Sequence, residues 1–121
     1  MREIIELYTY MRDNYNRNYS DIICKDNEIL IVFHKEFKMK VSLCGLYKVY
    51  FNDIFYYDID SQDVVDTIND FFTNSYIFCE VKKRKKSIIK IVPVDSYTDS
   101  YEIINAWSTL KTLKNSKEVT N

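Results

Sequence analysis

From Ile29 to Ile59 the apolar residues come in short runs separated by only a few polar positions. Ile29 to Phe33 is apolar at five consecutive positions, which predicts a central strand covered on both faces. The next run alternates: Phe37, Met39, Val41 and Leu43 on one side, Lys38, Lys40 and Ser42 on the other. One face of the sheet is therefore expected to be wet. Tyr47, Val49 and Phe51 alternate in the same way with Leu46, Lys48 and Tyr50, and Ile54 to Ile59 adds another strand. Asp21 to Lys25 reads as a short first strand, turned into the next by Asp26-Asn27. Joints this short force antiparallel pairing, because a parallel return needs a crossover of about a dozen residues. A five-strand meander results, with Asn52-Asp53 at one turn and Gly45, the single glycine, where a left-handed backbone is wanted.

Other stretches switch to helical spacing. Ile4, Leu7, Tyr8, Met11 and Tyr15 mark an amphipathic helix over residues 2–16, with Glu3 and Glu6 near its start and the asparagines after Asp13 favouring an exit. Asp60 or Ser61 is a suitable N-cap for a second helix, with Asp63 in its first turn and Val64, Val65, Ile68, Phe71 and Phe72 on its inner face. Asn74-Ser75 ends it. Tyr76 to Val81 and Ile88 to Val92 then predict a hairpin, with Pro93 closing it. Residues 98–114 predict a third helix, opened by Asp99 and Glu102 and facing inward through Ile103, Ala106, Trp107, Leu110 and Leu113. The expected class is α+β: an antiparallel sheet, made of the meander plus the later hairpin, with three helices packed mainly on one face. Residues 1–114 read as one domain and residues 115–121 as a polar tail.

With 121 residues, the chain is long enough to bury a core without disulfide or metal staples. Its excess of Ile, Lys, Asn, Tyr and Phe, beside one Gly and one Pro, fits an AT-rich coding sequence. No apolar run is long enough to span a membrane, and Met1-Arg2-Glu3 does not open a signal peptide, so a cytoplasmic protein is expected. Cys24, Cys44 and Cys79 lie in apolar strand patterns at spacings unlike those of zinc ligands and read as reduced core thiols. There is one histidine, His34, and no nucleophile in a Gly-flanked turn, so a catalytic set is not expected. A single glycine gives no phosphate-cradling loop. Asp58-x-Asp60-x-Gln62 departs from a calcium loop at Asp63, where Gly is required, and at Asn69, where Glu is required. No cofactor or metal is expected.

Charge is distributed unevenly although the net value is −1. Between Val49 and Val81 there are acids and no Lys or Arg, while Lys82 to Lys90 holds bases and no acid. Asp63, Asp66 and Asp70 follow i, i+3, i+7 and share the solvent face of the second helix. Lys82, Lys83, Arg84, Lys85 and Lys86 sit at the hairpin end, where mutual repulsion opposes folding and points to an anionic neighbour. Tyrosine is abundant, and Tyr50, Tyr56 and Tyr57 are expected among the exposed rings; such rings are favoured at interfaces.

In size, composition and lack of a catalytic set the chain resembles, in type, the small accessory proteins of phages and mobile elements in low-GC bacteria. What this implies is a non-enzymatic inhibitor, of the anti-CRISPR or anti-defence kind, that binds and blocks a host protein or nucleoprotein complex. Asp63, Asp66 and Asp70 would face a cationic groove, with Tyr50, Tyr56, Tyr57 and the basic run adding contacts. Two alternatives stand beside it. One is a nucleic-acid-binding accessory factor working through Lys82 to Lys86, against which the pI near 5.8 argues. The other is a cytoplasmic immunity protein against a toxin. Pairing of the oppositely charged halves between two copies would give a homodimer.

Overall fold

Alternation along the central strands becomes a two-faced sheet in the computed structural model, which describes residues 2–34, 36–73, 76–93 and 103–107. The chain runs α1 (Arg2–Tyr15), β1 (Asp21–Lys25), β2 (Glu28–His34), β3 (Phe37–Cys44), β4 (Leu46–Phe51), β5 (Ile54–Ile59), α2 (Val64–Thr73), β6 (Tyr76–Lys83), β7 (Lys86–Pro93) and β8 (Ile103–Trp107). Strands β1 to β5 form an antiparallel meander in sequence order, and a second sheet has the order β7-β6-β8. The turns follow from residue type. Asn52 and Asp53 both have positive φ, as a two-residue hairpin turn with right-handed twist requires, and Gly45 stands alone between β3 and β4 at φ 77°.

Every second residue of the meander points to one face. Ile29, Ile31, Phe37, Met39, Val41, Tyr47, Val49, Phe51 and Ile59 are buried there. That face is covered by Ile4, Leu7, Met11 and Tyr15 of α1, by Val64, Ile68, Phe71 and Phe72 of α2, and by Phe78, Ile89 and Trp107 of the second sheet. Phe37 lies at the centre, its ring stacked on Phe51 at 5.8 Å and on Trp107 at 5.1 Å and tilted against Phe78 at 5.3 Å. Tyr15 stacks on Phe72 at 4.5 Å and the Tyr10 hydroxyl donates to Asn69 Oδ1 at 2.8 Å, which fastens α1 to α2. The far side of the second sheet carries a smaller cluster built on Ile77, Cys79 and Val81.

Four expectations are corrected. There are two helices among the described residues, and the stretch expected to form a third holds β8, which pairs with β6 through Phe78↔Trp107 and Cys79↔Ala106. The physical reason is a bulge. Glu80 faces Asn105 but Val81 faces Ile103, so Ile104 is extra, and Ile103 and Ala106 come to share a face although three residues apart. That spacing mimics a helix. Second, β2 is interior to its sheet, yet Leu30 and Val32 on its outer side are only half-buried, because no layer of the described residues covers that face. Third, Val65 is exposed, the inner face of α2 being complete without it. Fourth, Asp63 precedes the helix instead of lying within its first turn. The expected Asp99 and Glu102 cap, Asn74-Ser75, Leu110, Leu113 and the tail 115–121 lie outside the described residues.

Candidate functional site

The acidic stripe of α2 meets the end of β5. Asp60 accepts the Asp63 N–H through its carbonyl at 2.9 Å, and the Asp63 carbonyl accepts the Thr67 N–H at 2.9 Å and the Thr67 hydroxyl at 2.9 Å. These bonds fix a tight strand-to-helix turn. Between the two elements lies an open groove of about 520 Å³ lined by Tyr57, Asp58, Ile59, Asp60, Asp63, Asp66, Thr67 and Asp70. Among the described residues no base lines it, although Asp58 Oδ1 accepts from Lys48 Nζ at 3.1 Å. The expected Asp63, Asp66 and Asp70 are thus brought together and joined by Asp58 and Asp60, and exposed Tyr57 forms part of the wall.

Tyr56 is next to this groove but half inside the core, with ring centroids 5.9 Å from Tyr57 and 5.7 Å from Phe51. Burial, and then the neighbouring Tyr57 and Asp70, hold its hydroxyl above the ordinary tyrosine range. Tyr76 donates its hydroxyl to Asp70 Oδ2 at 3.0 Å, and that bond in turn raises the Tyr76 pKa. One carboxylate of the groove is thereby held in place. Among the described residues no group of His, Cys, Asp and Glu is arranged to hold a metal ion. The carboxylates line an open wall; they do not converge on a point.

The basic run is a separate feature. Lys82 and Lys83 end β6, Lys86 begins β7, and Arg84-Lys85 forms the turn, with Arg84 at φ 60°. All five side chains are exposed. Lys83 pairs directly with Lys86, a like-charge cross-strand pair that works against the hairpin. With Ile88 the turn frames a hollow of about 620 Å³. Along the extended strand Lys83 is roughly 23 Å from Tyr76, the residue bonded to Asp70. The basic tip and the Asp70 end of the groove are therefore far apart within one molecule.

Tyr50 belongs to neither feature. It lies on the outer face of the meander in a cross-strand row of Ile23, Leu30, Lys40, Tyr50 and Phe55. Lys40 Nζ sits 4.5 Å from the Tyr50 ring centre, and the Phe55 ring meets Tyr50 edge-on at 5.6 Å. Beside them Lys48 is bonded to Asp58 Oδ1 at 3.1 Å, and the carboxylate raises the lysine pKa. Sequence reasoning misses this row; the wet face predicted for β3 is the available signal, but it becomes a row only once the register is known.

No helix among the described residues is long and apolar enough to cross a membrane. Comparison of the chain with protein-family models, with curated proteins and with solved structures gave no match.

Proposed function

We propose that the protein is a non-enzymatic interaction protein, phage or mobile-element encoded, that binds a host protein or nucleoprotein complex through the α2–β5 groove and blocks it. The observation that supports this is the gathering of Asp60, Asp63, Asp66 and Asp70 with exposed Tyr57 along one open wall that no base lines among the described residues, Asp58 beside them being paired with Lys48. Such a wall attracts a Lys/Arg-bearing surface over a distance set by ionic strength, and the tyrosine adds contact area with little entropy to lose. A groove that binds nucleic-acid phosphates is itself cationic, so occupying it with an acidic wall denies it to its substrate.

The experiment is affinity capture from a low-GC bacterial lysate with the wild-type chain and with the Asp63→Asn/Asp66→Asn/Asp70→Asn variant as bait. A specific partner lost with the triple variant and retained by Lys83→Ala/Arg84→Ala/Lys85→Ala supports the reading. The opposite dependence, together with a gel shift of free DNA or RNA that weakens steeply with salt, replaces it with nucleic-acid binding through the basic tip. That second reading is favoured by the Lys83↔Lys86 pairing, a like-charge cross-strand pair that costs the hairpin stability.

A further inference from the structure

Among the described residues no strand pairs with the outer side of β1, and that side is matched to itself: we infer that two copies of this chain pair there, antiparallel, about a two-fold axis at Ile23. β1 is the outermost strand of the meander, and its register with β2 is unbroken from Asp21 to Lys25. Other sheet edges are blunted: β5 and β8 each carry a bulge, and β7 ends at Pro93 and contacts β5. In an antiparallel ladder alternate residues direct their backbone groups to opposite sides. The Ile22 N–H donates to Asp21 Oδ1 at 2.9 Å, which places Ile22, and with it Cys24, in the set directed away from β2.

Pairing centred on Ile23 sets Ile22 opposite Cys24 of the second copy, and Cys24 opposite its Ile22. Both are positions whose N–H and C=O face the open side. Asp21 then lies opposite Lys25 of the second copy, once on each side of the axis, because the two charges are equally spaced from Ile23 and opposite in sign. An edge guarded by lysine at both ends repels its own image; this one attracts it. Asp21 releases the Ile22 N–H, which goes to the Cys24 carbonyl of the second copy, and turns to Lys25. Ile23, 47% exposed, meets its counterpart across the axis at a Cα separation of about 4.5 Å. The row from Phe55 to Ile23 becomes continuous across both molecules. This pairing uses neither the acidic groove nor the basic tip and stands apart from the proposed function.

Sedimentation equilibrium from about 1 µM to about 1 mM tests it. A monomer–dimer equilibrium is expected, weakened at least about tenfold by Lys25→Asp, which makes both pairs Asp–Asp, and restored by Asp21→Lys/Lys25→Asp. Ile23→Cys in a Cys44→Ser background should form an intermolecular disulfide on oxidation, since a closely spaced pair without backbone bonds suits disulfide geometry. A monomer at every concentration, indifference to Lys25→Asp, failure of the double swap to restore the dimer, or absence of the cross-link in the Ile23→Cys variant overturns the inference. Loss of the dimer in Lys83→Ala/Arg84→Ala/Lys85→Ala also overturns it, by assigning association to pairing of tip and groove.

Discussion

Phe37 and Phe55 are the same residue type in neighbouring parts of one meander, and the pleat gives them opposite fates. Phe37 is fully buried against Phe51, Phe78 and Trp107, while Phe55 is 48% exposed on the outer face. Removing the Phe37 ring leaves a cavity among other rings that cannot collapse to fill it. Phe37→Ala should cost about 3–5 kcal/mol in urea unfolding and Phe55→Ala less than about 1 kcal/mol. Equal effects would mean that the core is not organised on Phe37. Tyr15 tests the same interior by pH. Burial, and then its bond with Tyr10, push its hydroxyl up to about 12 from 10.0. The unfolded chain loses that proton near pH 10 while the folded one keeps it, so the stabilisation is complete below pH 10 and disappears as pH rises toward about 12. Alkaline unfolding curves of Tyr15→Phe should be flatter than wild type over that interval.

At the scale of the element, turns decide register. Asn52 has φ 49°, its Oδ1 accepts the Lys38 N–H at 2.8 Å, and its Nδ2 donates to the Glu36 carbonyl at 2.6 Å. One side chain thus ties the β4–β5 turn to the start of β3. Asn52→Gly keeps the left-handed backbone and loses the bonds; Asn52→Ala loses both. We expect Asn52→Ala to be the more destabilising by roughly 1 kcal/mol in denaturant titration, the cost of placing a Cβ in the left-handed region. Gly45→Ala, at φ 77° with open space around it, should cost about the same by strain alone. These turns were legible because Gly, Asn and Asp are chosen for one backbone conformation. The boundaries of β1, β4 and β5 were legible because joints of one or two residues leave no freedom to slide. β8 was not, because its bulge lets Ile103 and Ala106 share a face at helical spacing. The half-exposure of the outer side of β2 was not legible either, since an apolar run does not reveal whether a second layer exists to cover it.

For the molecule as a whole, the sequence exposed the charge division but not its geometry. Asp63, Asp66 and Asp70 could be placed on one helix face from spacing alone, whereas their meeting with Asp58, Asp60 and Tyr57 depends on how β5 turns into α2. That meeting makes a quantitative test of the proposed function. The groove is open, so its field is screened over about 10 Å at 0.1 M salt and about 3 Å at 1 M. Steering acts on encounter more than on the lifetime of the complex. The association rate with a cationic partner should therefore fall by about tenfold or more between low and high salt while the dissociation rate changes little. Asp63→Asn/Asp66→Asn/Asp70→Asn should start slower and lose most of that salt dependence, with stopped-flow or biosensor kinetics as the readout. An association rate indifferent to salt in the wild type would take the contact away from the groove and give it to another surface.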